Sequence, residues 1–149
     1  MASWNDVAEQ APELAGAVRD RFAVRKHATM ATLRKDGSPR ISGTEVEFSD
    51  GELWLGSMPM ALKALDLRRD PRLALHSPTV DPPEDDPGTW AGEAKVAGRA
   101  VEVGNEDPAD GSHRFRIDVD EVVLTRVRGD ALLIESWHPG RGVERHTRA

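Results

Sequence analysis

The stretch from Gly51 to His76 combines the features of an anion-binding site. A predicted strand ends at Gly56–Ser57, Pro59 follows in a turn, and Lys63 lies in the first turns of the next helix. The free amides at a helix N-terminus attract anions, and a lysine adds a full positive charge. The Ser57 hydroxyl supplies a further donor. The pattern predicts a phosphate site, and the alternative is that Lys63 faces solvent on an amphipathic helix.

Other kinds of catalytic or metal site find little support. The chain has no cysteine, which excludes disulfides, thiolate chemistry and cysteine-ligated metals. No nucleophile, phosphate-loop or dinucleotide-binding motif is present. The histidines are scattered without metal-ligand spacing, so we expect no metal site and a structural or surface role for each: His27, His76, His113, His138 and His146.

Length and composition limit the class of protein. The 149 residues predict one domain over 1–149, with an N-terminal helical segment over 1–26 and a C-terminal tail over 138–149. Hydrophobic residues make up 38%, a lean core that favours an oligomer, and the net charge of −6 argues against nucleic-acid binding. Neither a signal peptide nor a membrane-spanning run is recognisable, so we expect a cytoplasmic protein.

Helical patterns begin the chain and interrupt the strands. Ser3 and Asp6 resemble a helix cap, and the apolar spacing predicts a helix over Pro12–Phe22. A second helical pattern follows Pro59 and predicts an inserted helix at about Ala61–Asp70.

The rest of the chain reads as short strands joined by tight turns. Asp-Gly pairs at 36–37 and 50–51 favour hairpins, and Gly98 predicts a bulge. Polar loops are expected over Ser77–Trp90 and Gly104–Ser112. We therefore predict six or seven antiparallel strands forming a mainly β, α+β barrel. Seven segments read as strands, and Arg114–Val119 is a further candidate for a short strand. The seven are His27–Arg34, Arg40–Phe48, Glu52–Ser57, Arg72–His76, Ala94–Val103, Glu121–Val127 and Ala131–Trp137.

Several short motifs together resemble the pyridoxamine 5′-phosphate oxidase-like family of split β-barrels, which bind FMN or deazaflavins. The motifs are Ala31-Thr32-Leu33, Asp36-Gly37-Ser38-Pro39, Asp50-Gly51-Glu52-Leu53-Trp54, Leu67-Arg68-Arg69-Asp70-Pro71-Arg72 and Ile134-Glu135-Ser136-Trp137 with Gly140-Arg141. The resemblance implies an antiparallel split barrel that forms a homodimer, with the cofactor at the subunit interface.

The same resemblance implies a set of cofactor-binding residues. The family usually meets the phosphate of FMN, or of coenzyme F-420, with a Ser-Arg-Lys run, where this chain has Ala61, Leu62 and Lys63. Arg40 is then a candidate to supply the missing charge, and Gly43 to let a flat ring approach the backbone. Trp137 aligns with a tryptophan that meets the cofactor from the partner subunit; packing is its alternative role. The full candidate set is Arg40, Ser42, Gly43, Thr44, Ser57, Met58, Lys63, Trp137 and Arg141.

The implied function is an oxidoreductase that transfers a hydride between FMN, or alternatively F-420, and a small organic substrate. The cofactor would carry the redox step, so no catalytic side chain is assigned. The alternative is a non-catalytic split-barrel protein that binds flavin or haem, with His27 or His76 as a haem ligand. True pyridoxamine 5′-phosphate oxidation ranks below both, because the phosphate and substrate residues are incomplete.

Overall fold

Two short helices begin the chain in the computed structural model, which describes residues 1–104 and 111–149. Helix α1 spans Trp4–Gln10 and α2 spans Pro12–Ala23. The predicted cap is confirmed, since Asp6 N–H donates to Ser3 Oγ at 3.1 Å and Ser3 N–H donates to Asp6 Oδ2 at 2.9 Å. The apolar faces of both helices are buried, and α2 packs against the sheet.

The described strands form one antiparallel sheet. The strands are β1 Ala28–Leu33, β2 Pro39–Thr44, β3 Val46–Ser49, β4 Glu52–Ser57, β5 Arg72–His76, β6 Glu93–Val103, β7 His113–Arg128, β8 Ala131–His138 and β9 Gly142–Arg148, with helix α3 Leu62–Arg69 between β4 and β5. The path of the sheet runs β2-β1-β5-β6-β7-β4-β3, while β8 pairs with β7 and β9 pairs with β8. The sheet is not closed, because β2 and β3 end the path without pairing with each other.

The predicted fold class is confirmed, with corrections to individual elements. The single strand expected over Arg40–Phe48 is broken at Glu45, because the chain leaves β1 as partner and begins pairing with β4. The segments expected as separate strands over Arg114–Val119 and Glu121–Val127 are parts of one continuous strand, β7. The expected tail over 138–149 instead forms β9, which pairs along β8. These changes give nine strands among the described residues rather than six or seven. The expected loop over Gly104–Ser112 lies largely outside the described residues.

The core lies between the sheet and the helices. Its fully buried side chains include Trp137, Phe115, Met30 and Leu53. Helix α3 packs on β1 and buries Ala64 and Leu67. The bulge predicted at Gly98 is confirmed by a register shift between Ala97 and Gly98. None of the helices in the two described ranges is long and apolar enough to cross a membrane.

Candidate functional site

A cleft of 780 Å³ opens where the end of β4 turns into α3. Its walls come from β2, β3, β4, the start of α3 and the beginning of β7. Ligand-binding clefts in proteins commonly have volumes of roughly 300–1,000 Å³. The cleft brings together five of the residues that the sequence predicts for the site: Gly43, Thr44, Ser57, Met58 and Lys63.

Lys63 joins two walls of this cleft. Its Nζ donates to the backbone carbonyl oxygen of Gly43 at 2.8 Å. The ammonium therefore points across the cleft toward β2, while two of its three N–H donors remain available. The backbone amides of Leu62 and Lys63, in the first turn of α3, have no acceptor among the described residues. These groups provide hydrogen-bond donors and positive charge for an anion.

Two glycines leave the backbone of the cleft uncovered. A Cβ added at Gly43 on β2 or at Gly56 on β4 would have no atom within 4 Å. Open space therefore lies beside the backbone at both positions. A planar ring can approach the backbone at these glycines more closely than it could if either residue had a side chain. Together with the donors for an anion, this makes the cleft suitable for a flat cofactor that carries a phosphate.

Arg40 lies outside this cleft, in a neighbouring groove that also contains Leu62 and Asp66. Its Nε donates to the buried carboxylate of Asp66 at 2.7 Å. Thr32 Oγ1 donates to the same oxygen at 2.7 Å, and Arg69 donates to the other oxygen at 2.9 Å. Burial of the carboxylate opposes its ionisation, but these hydrogen bonds outweigh it and hold the pKa of Asp66 below its ordinary value. Arg40 is thus engaged in an ion pair with Asp66, and its role in cofactor binding remains a prediction.

The cleft contains further side chains that the sequence analysis did not assign to it. Arg114 on β7 stacks over Trp54 on β4, with the guanidinium carbon 3.8 Å from the ring centroid. His113 is buried beside Arg114 and accepts a hydrogen bond from the Met60 N–H at Nε2. His27 lies at the opposite end, 3.4 Å from Glu45. From the sequence, the alternation of side chains along β7 assigns Arg114 only to one face of the sheet. The pairing of β7 with β4 is what shows that Arg114 lies opposite Gly56.

A sequence model of one known family covers most of the chain. The model of pyridoxamine 5′-phosphate oxidase matches residues 14–128. The chain belongs to the pyridoxamine 5′-phosphate oxidase family. A comparison with curated proteins gives no significant sequence match.

Several solved structures share the fold of this family member. A pyridoxamine 5′-phosphate oxidase-related, FMN-binding protein from Nostoc punctiforme is 10% identical, with a TM-score of 0.67 over 97% of this chain and 99% of the other. A haem-binding protein from Mycobacterium smegmatis is 16% identical, with a TM-score of 0.55 over 89% and 87%. An F-420 reductase is 17% identical, with a TM-score of 0.50 over 68% and 91%. These similarities establish the fold.

Besides Arg40, three further residues predicted from the family resemblance lie apart from the cleft within one chain. Ser42 is half-buried on β2 but does not line the cleft. Trp137 is fully buried in the core, where its Nε1 donates to Gln10 Oε1 at 3.3 Å. This burial agrees with the packing role considered for Trp137. Arg141 is exposed in the turn before β9, 3.9 Å from Glu144. Their roles in cofactor binding remain predictions.

The titratable side chains form no metal centre in the part of the chain that the structure describes. No three histidine, aspartate or glutamate side chains in residues 1–104 and 111–149 are grouped as metal ligands. The cleft offers an anion the cations Lys63 and Arg114 and the amides at the start of α3, beside the uncovered backbone of two glycines, while Glu45 and Glu47 also line it.

Proposed function

We propose that this protein binds a flavin-type cofactor in the cleft and transfers a hydride between that cofactor and a small organic substrate. The observation that carries the proposal is the position of Lys63 beside uncovered backbone at Gly43 and Gly56. A phosphate needs the charge, and a planar ring needs the open backbone. One cleft provides both within the span that the family model covers.

FMN is the proposed cofactor, with coenzyme F-420 as the alternative. Both combine a tricyclic ring with a phosphate, and the similar folds include an FMN-binding protein and an F-420 reductase. When bound, either cofactor supplies the hydride-transfer chemistry. The protein's part is to hold the phosphate near Lys63, to orient the ring along β2 and β4, and to limit the access of water.

We further propose that the protein is a cytoplasmic homodimer whose interface borders the cleft. Four large apolar side chains are exposed on β2, on the turn before α3 and at the start of α3. They are Ile41 at 75%, Met58 at 78%, Met60 at 69% and Leu62 at 59% of their full accessible area. Large exposed apolar side chains favour association, and Met58 itself lines the cleft.

The second candidate function is cofactor binding without catalysis, including binding of haem. One observation favours haem as a ligand, because His27 lines the cleft and 69% of its side-chain area is exposed. The similar fold of a haem-binding protein supports keeping this candidate.

Titration of the purified protein with FMN, F-420 and haem tests these alternatives, because the three have distinct visible absorbance spectra. We expect saturable binding of FMN or F-420, followed by reoxidation of the reduced complex when an organic hydride acceptor is added under anaerobic conditions. Binding without turnover over a broad panel of acceptors would favour the non-catalytic candidate. Failure of all three cofactors to bind would overturn the proposal.

A further inference from the structure

Arg114 is a second cation in the cleft that contains Lys63. It lies near the start of β7, where the antiparallel register places it directly opposite Gly56 of β4. Gly56 precedes Ser57 at the end of that strand, so Arg114 lies beside the point where the chain leaves the sheet for α3. Since Gly56 has no side chain, nothing on β4 at this position covers the guanidinium.

The orientation of Arg114 is set by Trp54. The guanidinium carbon lies 3.8 Å from the centroid of the indole ring, and the indole is itself fixed because its Nε1 donates to the Ser49 carbonyl oxygen at 3.0 Å. Stacking engages the face of the guanidinium and leaves the N–H groups at its edge free to donate. Among the residues that the structure describes, no carboxylate lies within 4.0 Å of Arg114.

The neighbouring arginine on the same strand behaves differently. Arg116, two residues further along β7, lies 3.5 Å from a carboxylate oxygen of Asp118 and does not line the cleft. Arg114 is therefore distinguished from Arg116 by its stacked orientation, by its place in the cleft and by having no carboxylate partner within the described residues.

No other described arginine lines this cleft. Position 62, where the family pattern has arginine, holds Leu62, which lines the neighbouring groove. Arg40 lines that groove as well and donates to Asp66. Lysine alone offers a point charge, whereas the planar fork of an arginine matches two phosphate oxygens at once. Within the described residues, Arg114 on β7 is thus the arginine available to an anion that occupies this cleft with Lys63.

We propose that Arg114 binds the cofactor phosphate together with Lys63, and that Trp54 is the positioning residue that holds Arg114 in place. The inference rests on the proposed function, since it concerns the same phosphate. It goes further by assigning the missing guanidinium to a strand that is distant in sequence from the helix carrying Lys63.

Pairs of ligands that differ in the phosphate test the assignment. FMN and riboflavin form one pair, and F-420 and its phosphate-free deazaflavin fragment form the other. The readout is the ratio of the two affinities within a pair, measured by fluorescence titration for the wild-type protein, Arg114→Gln, Arg114→Lys and the matched control Arg116→Gln. Thermal melting of each unliganded variant confirms that it folds.

We expect Arg114→Gln to weaken binding of the phosphate-bearing ligand by about tenfold or more, with binding of the phosphate-free ligand unchanged. Arg114→Lys, which keeps the charge but loses the fork, should lie between, and Arg116→Gln should match the wild type. Trp54→Leu should lower the ratio of the phosphate-bearing to the phosphate-free affinity, but by less than Arg114→Gln does. When Arg114 is already replaced by glutamine, adding Trp54→Leu should lower that ratio no further.

The outcomes separate this inference from the proposed function. If the wild-type protein binds FMN or F-420 and Arg114→Gln binds it equally well, Arg114 is not a phosphate ligand while the proposed function stands. An equal loss for both members of a pair would place Arg114 on the ring and overturn the assignment. If the wild-type protein binds none of the four ligands, the proposed function and this inference fail together.

Discussion

His113 accepts a hydrogen bond from the backbone N–H of Met60, with 3.2 Å between Nε2 and the amide nitrogen. Because Nε2 accepts, the proton of the neutral imidazole resides on Nδ1, which lies 3.4 Å from Glu102 Oε1. Glu102 in turn receives two hydrogen bonds from Arg68 of α3, at 2.7 and 2.8 Å. The hydrogen bond from Arg68, assisted by His113, holds the pKa of Glu102 below its ordinary value against the effect of burial. The network thus ties the turn before α3 to β6 and β7.

Replacement of His113 tests this link. Met60 has a positive φ of 57°, a backbone conformation that needs support from its surroundings in a residue other than glycine. His113→Phe removes the acceptor, and we expect a loss of about 1 kcal/mol in the free energy of unfolding and weaker FMN binding. His113→Gln offers a carbonyl acceptor and should lose less of both. Urea denaturation measures the stability of the two variants, and fluorescence titration measures their FMN affinity. Equal losses in both variants would show that the hydrogen bond from Met60 is not the cause of the effect.

The local signals in the sequence predicted the elements well where a turn or a cap fixes them. The Ser3 cap and the bulge at Gly98 depend on neighbouring residues, so they were recognisable without the structure. The break at Glu45 was not, because the strand changes partners there without a glycine or proline to mark the place. The last strand was missed because its alternation is weak: five of the seven residues of β9 are exposed.

The residues of the site could be predicted only where they lie close together in one segment of the chain. Ser57, Met58 and Lys63 lie within a few residues of one another, and the helix pattern indicates the anion site directly. Arg114 comes from a strand 51 positions after Lys63, and its place depends on the register of β7 against β4. The ion pair of Arg40 could not be predicted, because the sequence does not reveal that Asp66 of α3 is buried against it.

Lys63→Ala should affect cofactor binding far more than stability. The lysine contributes one charge to the anion site, and charge-assisted contacts are worth roughly 1.5–3 kcal/mol, or about a 10–100-fold change in affinity. Its one hydrogen bond within the described residues, to the Gly43 carbonyl oxygen, is exposed to solvent, so the melting temperature without cofactor should remain nearly unchanged. Fluorescence titrations with FMN and F-420 measure the effect. Unchanged affinity for whichever cofactor binds would remove Lys63 from the site.

Asp66→Asn should destabilise the fold at neutral pH. The substitution leaves Arg40 and Arg69, whose side chains are 21% and 38% exposed, without their shared carboxylate, and loss of hydrogen bonds to a charged group costs about 1.5–3 kcal/mol. Asp70→Asn is the matched control, because the Asp70–Arg72 pair is more exposed and its loss should have little effect. Chemical denaturation of the wild type, Asp66→Asn and Asp70→Asn measures the free energy of unfolding of each. Similar stabilities for the two variants would contradict the structural role of Asp66.

The contribution of Asp66 should also depend on pH with a definite sign. Its pKa in the folded protein lies below the ordinary value of 3.8, so the native state binds fewer protons than the unfolded state in the acid range. The stabilisation is therefore fully present above pH 3.8 and is lost as the pH falls through the lowered pKa. The difference in stability between wild type and Asp66→Asn should be constant near neutral pH and shrink in acid. A difference that grew on acidification would refute this assignment.

The exposed apolar residues predict the oligomeric state. Sedimentation at micromolar concentration should show a particle of twice the mass of the chain, since Ile41 and Leu62 are more than half exposed in a single chain. Ile41→Glu should weaken the dimer, because association would bury the new charge. Val24→Glu is the control, as this residue is 37% exposed at the end of α2 and away from the group. A wild-type protein that sediments as a monomer would refute the dimer.

Gly43→Val and Gly98→Ala should have opposite consequences. Gly43 has open space where a Cβ would lie, and valine suits an extended strand, so Gly43→Val should fold with a nearly unchanged melting temperature. Its side chain would occupy the place proposed for the ring, and FMN affinity should fall by about tenfold or more, equivalent to roughly 1.4 kcal/mol. A Cβ at Gly98 would overlap the Asp118 carbonyl oxygen across the bulge. Gly98→Ala should therefore lower the free energy of unfolding by about 1–3 kcal/mol, while the folded fraction binds FMN normally. Calorimetry and fluorescence titration of both variants measure the two effects separately, and unchanged FMN affinity in Gly43→Val would show that the ring does not lie against β2.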